Sequence, residues 1–279
     1  LDDFAKQLND PLPRALAGFL AAAIIAIVAH RARALSPSGA IASTVVGGTI
    51  VATGGWWLGV ILVAYFATSS ALSHASKSRT TTTDQVRGSR RDAIQVSANG
   101  GIPVAFALLS LTPSDPTPWL IASIGAVAGA AADTWATEIG RFSRATPRLL
   151  TTGKPVPPGT SGAITLLGTS AALAASFIIA VTAAIGHAAG WLDTTGSTST
   201  LALAVTVAGI AGCFADSLLG ATVQQRRWCP SCQVTTERSV HSCGTFATHA
   251  SGYRWVNNDV VNLLGILVAG LIAATLAQI

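Results

Sequence analysis

The chain has 279 residues, half of them hydrophobic and only 10% charged, with a mean hydropathy of +0.54. Soluble domains carry about 25% charged residues, so the composition excludes a soluble globular enzyme and indicates an all-α, polytopic integral membrane protein. The net charge of +5 is concentrated in a few loops, which argues against nucleic acid as a partner and for anionic membrane lipid.

Apolar stretches predict eight helices, over residues 14–30, 39–54, 55–73, 98–111, 118–139, 161–187, 200–224 and 257–278. The second and fourth fall short of the roughly 20 residues of a full span and read as tilted, broken or re-entrant, so seven or eight spans are expected. The polar opening "LDDFAKQLND" precedes the first helix, which lacks an A-x-A cleavage pattern and reads as a span rather than a signal peptide. The sequence holds no Met, so residue 1 is not expected to be the translation start. The whole chain, 1–279, reads as a single transmembrane domain with a Cys/His loop at 225–256.

The loops at 31–38, 74–97, 140–160 and 225–256 hold 15 of the 17 Lys and Arg residues, whereas "TPSDPTP" and "HAAGWLDTTGSTST" hold none. The positive-inside rule therefore places these four loops in the cytoplasm and both termini outside.

The fifth helix carries Asp133 and Glu138 within "AGAAADTWATEIG". A carboxylate at mid-bilayer costs roughly 3 kcal/mol on insertion scales, so such residues are paired, wet or functional. "AGAAADT" (128–134) is echoed by "AGCFADS" (211–217), each a stripe of small residues ending in an acid. Small residues let membrane helices approach closely. Two such stripes in contact would bring Asp133 and Asp216 together near the cytoplasmic end, where Mg²⁺ is the expected counter-ion. Glu138 lies five residues on, and a local contact with Arg141 or Thr134 competes with metal binding there.

Four helices start on the cytoplasmic side, at "SPSGA", "SANGG", "GTSGA" and "VNND". Helix N-termini suit phosphate, although the same residues serve as ordinary caps. Asn99 and Gly100 of "SANGG", and Gly159, Thr160, Ser161 and Gly162 of "GTSGA", are candidate phosphate binders, with Lys77, Arg79, Arg90, Arg91 and Lys154 as nearby cations. In the last helix Asn258, Asp259 and Asn262 share a turn, and Ser217 and Gln224 lie seven apart after Asp216. The candidate catalytic set is Asp133, Asp216, Glu138, Lys77 and Asp259. Binding of substrate and nucleotide is expected from Arg79, Asn99, Gly100, Lys154, Gly159, Thr160, Ser161, Gly162, Ser217, Gln224, Asn258 and Asn262.

"CPSCQVTTERSVHSCG" supplies Cys229, Cys232, His241 and Cys243. Three Cys and one His complete a tetrahedral zinc site, with His249 as an alternative ligand and unliganded reduced thiols as the competing reading. Cys213 lies inside a helix and is expected to be packed. The Walker motif G-x-x-x-x-G-K-[ST] is absent, so the chain is not a P-loop kinase.

Taken together, "ADTWATEIG", "PGTSGAITLLGTSAA", "ADSLLGATVQ", "TERSVHSCG" and "NNDVVN" resemble domain-of-unknown-function family 92, over most of the chain from about residue 14. That family includes the human transmembrane protein 19 group and the plant and cyanobacterial phytyl-phosphate kinases. More distantly, the chain is similar to CTP-dependent polyprenol kinases and phosphatidate cytidylyltransferases; their acidic loop residue is replaced here by Pro158, and the plastid-targeting extension of plant members is not visible. The resemblance implies phosphorylation of an isoprenyl monophosphate, such as phytyl or geranylgeranyl phosphate, to the diphosphate, with a nucleoside triphosphate, CTP among the candidates, as donor. It implies Mg²⁺ on Asp133 and Asp216 and a setting in a bacterial or archaeal cell membrane or a plastid envelope. A cytidylyltransferase acting on a lipid phosphate and a transporter of phosphorylated lipids are the alternatives.

Overall fold

The computed structural model describes residues 10–76 and 90–278. Each helix begins where the local chemistry lets it. Helix α1 (Pro11–Arg31) opens on proline, whose missing N–H costs nothing in a first turn. Helix α2 (Pro37–Ser76) is capped by Ser36, whose Oγ accepts from the Gly39 N–H at 3.1 Å. Helix α3 (Ala93–Leu109) is opened by a capping box between Asp92 and Gln95. Helix α4 (Thr117–Gly140) follows Pro116; α5 (Leu166–Ala188), α6 (Thr198–Thr222) and α7 (Asn258–Leu276) are capped by Thr165, Ser197 and Asn257. Six of these seven helices are long and apolar enough to cross a membrane; α3, with 17 residues, is shorter.

Helix α2 is a hairpin rather than one 40-residue rod. Gly55 has φ +82°, ψ 174°, a conformation open to glycine and strained for other residues. Val51 and Gly59 touch across it, because a Cβ on Gly59 would lie 2.6 Å from Val51 Cγ2; in a continuous helix these positions would be about 12 Å apart. The chain therefore doubles back into segments 37–54 and 56–76, the break expected at 54/55.

Helix α4 is the hub, packed on α2, α3, α5, α6 and α7. Its apolar stretch is 72% buried, against 17% for α1, which turns Leu12, Leu16, Leu20 and Val28 outward as a lipid-facing surface would. Glycine sets the closest approaches. A Cβ on Gly125 or Gly129 of α4 would lie 2.2 Å from Ala273 Cβ or 2.7 Å from Ala269 Cβ of α7, and one on Gly212 of α6 would lie 2.7 Å from the same Ala269. The two small-residue stripes therefore do not simply meet each other, as the echo suggested: both close onto α7, with Gly209 of α6 touching Ala128 of α4 alongside.

Two small antiparallel sheets stand in the loops at one end of the bundle. Strands β1 (Arg148–Leu149) and β2 (Ala163–Ile164) pair between α4 and α5; β3 (Arg226–Cys229), β4 (Val234–Thr236) and β5 (Thr248–Ser251) form a sheet of order β4-β3-β5 between α6 and α7. At the same end Leu35 bridges to Arg91, joining the α1–α2 turn to the start of α3.

Two expected helix starts are corrected. The fourth helix begins at Ala93, not 98, because the Asp92–Gln95 box nucleates it; Asn99 and Gly100 thus lie inside α3. The sixth begins at Leu166, not 161, because Gly159 and Gly162 take positive φ and the chain pairs as β2 before Thr165 caps the helix. "GTSG" is a turn and not a helix N-terminus.

Candidate functional site

Near the loop-bearing end, Asp133 of α4, Asp216 of α6 and Asn262 of α7 line one closed crevice with Gly129, Gly212, Gly265 and Ile266, packed too tightly in this structure to admit a water molecule. At 1.5 Å per residue the two acids sit about 10 Å in from the ends of their helices, and Asn262 about 6 Å from the start of its own, so one layer of the bundle holds all three. The glycines make the convergence possible: a Cβ on Gly265 would lie 3.0 Å from the Gly212 carbonyl oxygen and 3.1 Å from Asp216 Cβ. Asp133 has no hydrogen-bond partner among the described residues. Cys213, one turn from Asp216, packs with Ala132 and Ala172 as expected.

Glu138 does not line this pocket. Its Oε1 accepts from Ser73 Oγ at 2.8 Å, and its Oε2 accepts from Ser76 Oγ and from Arg141 Nη1 at 2.8 Å. The carboxylate is thus consumed in tying α2 to α4. Ser69 Oγ and Ser70 Oγ of α2 and Trp135 Nε1 of α4 are buried without a hydrogen-bond partner.

The remaining candidates divide. Asn99 donates Nδ2 to the Gln95 carbonyl at 2.9 Å, and Gly100 sits where a Cβ would be 2.8 Å from Val46 Cγ1; neither offers a helix-opening amide. Lys154 is exposed in the β1–β2 connection. Thr160 donates Oγ1 to the Pro157 carbonyl at 2.7 Å. Gly162 presses against α6, where a Cβ would meet the Ala221 nitrogen and the Ser217 carbonyl oxygen at 2.4 Å each. Asn258 is exposed and Asp259 half-buried in the first turn of α7, outside the pocket. Lys77 and Arg79 lie outside the described residues.

The structure adds Glu237, which lies within "TERSVHSCG" and is not among the expected site residues. Following β4, it accepts from Ser161 Oγ at 2.5 Å and from Gln224 Nε2 at 2.8 Å. Gln224, placed by the sequence on a face of the seventh helix, lies just past the end of α6 and is 3% exposed. Arg226 completes the junction by donating Nη2 to the carbonyls of Ser161, Gly220 and Ala221 at 3.1–3.3 Å, capping the negative end of α6. A Glu between two Cys/His turns was the one local signal for this contact.

The ligand atoms of Cys229, Cys232, His241 and Cys243 all lie within 4.8 Å of one another. Cys229 Sγ and Cys243 Sγ are 3.6 Å apart, and His241 Nδ1 is 3.2 Å from Cys243 Sγ. Thr245 first and His241 second pull the Cys243 thiol down to about 6, while hydrogen bonding to Cys243 pushes Cys232 up to about 11. His249, on β5 opposite Arg227, is outside the cluster.

A second cavity, of about 300 Å³, lies between α1, α2 and α3. Ala22, Ile25, Val46, Val51 and Val63 line its apolar length, and Arg91, Gln95 and Asn99 its polar part. The Arg91 guanidinium stands 5.5 Å from the Phe66 ring centroid and 6.0 Å from that of Tyr65, and no described carboxylate pairs with it.

Comparison with known proteins finds the family described as Integral membrane protein DUF92, matched over residues 20–270. Protein PGR of Arabidopsis thaliana is 31% identical over 95% of this chain and 97% of its own length. An uncharacterised membrane protein of Methanocaldococcus jannaschii is 28% identical over 94% of each. Protein VTE6, chloroplastic, of Arabidopsis thaliana is 32% identical over 52% of this chain and 34% of its own length. No solved structure matches.

Proposed function

The chain belongs to the DUF92 family of integral membrane proteins, and from that premise we propose that it is a membrane kinase that phosphorylates an isoprenyl monophosphate to the diphosphate. The carrying observation is the convergence of Asp133, Asp216 and Asn262 in one pocket at the loop-bearing end of the bundle. These hard oxygen donors suit Mg²⁺, which is bound by one or two carboxylates and takes its remaining ligands from water and substrate phosphates. Bound there, Mg²⁺ would neutralise charge on the donor's phosphates.

The chain's own part is to hold the two reactants in line. An oxygen of the acceptor phosphate attacks the γ-phosphorus of the nucleoside triphosphate, one P–O bond forms, and the bond to the β,γ-bridging oxygen breaks to release the nucleoside diphosphate. The acceptor is already ionised near neutral pH, so no side chain need remove a proton. Catalysis then consists of positioning and electrostatic stabilisation.

The cavity between α1, α2 and α3 supports an acceptor with a long apolar chain. Its volume of about 300 Å³ sits at the lower edge of ligand sites, roughly 300–1,000 Å³, and Arg91 is a cation within reach of a phosphate. Ala22→Phe should fill the space beside α2. The expected result is a KM for geranylgeranyl phosphate raised about tenfold, with that for a five-carbon isoprenyl phosphate unchanged. An equal rise for both would remove the cavity from the acceptor site.

The deciding test uses purified protein, phytyl phosphate, Mg²⁺ and CTP labelled separately at the α- and γ-phosphates, repeated with ATP, GTP and UTP. Passage of γ-label into a prenyl diphosphate is expected. Passage of α-label would make the protein a cytidylyltransferase, and no transfer with any nucleotide across several prenyl phosphates would point to transport.

A further inference from the structure

We infer that Cys229, Cys232, His241 and Cys243 hold one structural zinc ion, and that this ion holds Glu237 on its two partners, Ser161 and Gln224. The inference stands on the geometry of the loops and does not depend on the kinase reading.

The donor set fits zinc on three counts. Thiolate sulfur and imidazole nitrogen are the ligands of closed zinc sites, with Zn–S near 2.3 Å and Zn–N near 2.0–2.1 Å. Tetrahedral angles at those lengths separate neighbouring sulfurs by about 3.8 Å, and Cys229 Sγ lies 3.6 Å from Cys243 Sγ. That separation is well beyond the roughly 2.05 Å of a disulfide, and all four cysteines of the chain are free. Four protein donors leave no position open for water, so the ion would be structural.

The fold of the loop explains why a metal is needed. Strand β5 is exposed at every residue, and β4 at all but Thr236. Within the cluster Cys229 alone is fully buried. A sheet with so little apolar surface to bury is of the kind that metals or disulfides staple. Two tight turns present the ligands: Gln233 N–H donates to the Cys229 carbonyl at 2.9 Å, and Gly244 N–H to the His241 carbonyl at 2.8 Å.

Glu237 lies on the chain between these two turns, five residues after Cys232 and four before His241. Pinning both turns to one ion fixes the segment that carries it. Its carboxylate then joins three separate pieces of chain: the β1–β2 connection through Ser161, the end of α6 through Gln224, and the Cys/His loop itself. Asp216 stands six residues before the end of α6 at Thr222, about 9 Å in, so the junction lies at the end of the helix nearer that acid.

Metal analysis of the full-length protein purified in detergent without chelators should give about one zinc per chain, with an X-ray absorption shell of three sulfurs and one nitrogen. Cys243→Ser should retain less than about a fifth of that zinc. Wild-type protein treated with a mercurial and a chelator, then freed of the mercurial, covers the case in which the variant fails to fold. Its backbone amides over 159–165 should exchange roughly tenfold faster than in the zinc-loaded protein, with α5 unchanged and protection restored by adding zinc. Glu237→Ala, which removes the oxygen that accepts from both Ser161 and Gln224, should keep the zinc and show fast exchange over 159–165 with the metal in place. Wild-type protein that carries no zinc, and that gives no sulfur-to-cobalt charge-transfer band when offered Co²⁺, overturns the site. Zinc that comes and goes without changing exchange at 159–165 overturns the coupling to Glu237.

Discussion

Asp133→Asn and Asp216→Asn are each expected to lower phosphoryl transfer by about three orders of magnitude while the helical bundle stays folded. The size follows from the role: a carboxylate that holds a metal against the donor phosphates supplies several kcal/mol of transition-state stabilisation, and each 1.4 kcal/mol is a factor of ten. The amide keeps the shape and one oxygen but loses the charge. A structural role predicts something different. Two carboxylates in one pocket repel each other when no cation lies between them, so removing one charge should leave the metal-free protein as stable as before, or slightly more stable. The second readout is therefore the effect of Mg²⁺ on thermal stability in detergent. Wild-type Tm should rise with Mg²⁺ as a bound ligand requires, and the rise should vanish in either variant. If both variants turn over at the wild-type rate with the Mg²⁺ shift intact, the pocket is not the metal site. If the bundle unfolds, the acids are holding helices together instead.

Gly162→Ala should cost about 3 kcal/mol of stability and disturb the site from the loop side. Two terms add. Gly162 has φ +76°, where an L-residue is strained by roughly 1–2 kcal/mol. Its new Cβ would also lie 2.4 Å from both the Ala221 nitrogen and the Ser217 carbonyl oxygen, a backbone clash that no side-chain rotation relieves; overpacking of this kind costs about 1–3 kcal/mol. Gly153→Ala is the matched control, since Gly153 has φ +65° with open space beyond it, so it carries the strain without the clash. The loop can escape only by lifting off α6, which pulls Ser161 away from Glu237. Thermal unfolding of the pair, with transfer activity measured alongside, checks the argument: equal losses in the two variants would mean the loop does not bear on α6.

Much of the architecture was legible because its causes are local. Ten per cent charge and long apolar stretches require a membrane, and an apolar run of that length between residues 39 and 73 had to be divided into two spans, as it is at Gly55. The isolated acids Asp133 and Asp216 stood out against Ala and Gly because a carboxylate there is costly. Helix starts were less legible. Ser, Asn and Gly in "SANGG" and "GTSG" resemble caps, yet the Asp92–Gln95 box nucleates α3 a turn earlier, and positive φ at Gly159 and Gly162 delays α5. For Glu138 the local contact with Arg141 was legible from its spacing of three, whereas Ser73 and Ser76 lie on a distant helix and could not be seen from its own neighbourhood.

What the sequence determined by itself is the class of protein, the run of its spans, the end of the bundle that gathers charge, and the two acids that must be satisfied there. What only the tertiary structure decided is which polar groups face one another: Asn262 with the acids, Glu138 with Ser73 and Ser76, and Glu237 with Ser161 and Gln224. The physical reason is that hydropathy and capping act within a few residues, whereas the neighbours of a membrane helix are chosen by close packing of small side chains. A stripe of Ala and Gly fits many partners equally well on paper. Here both stripes chose α7, because Gly265, Ala269 and Ala273 let two backbones approach it at once.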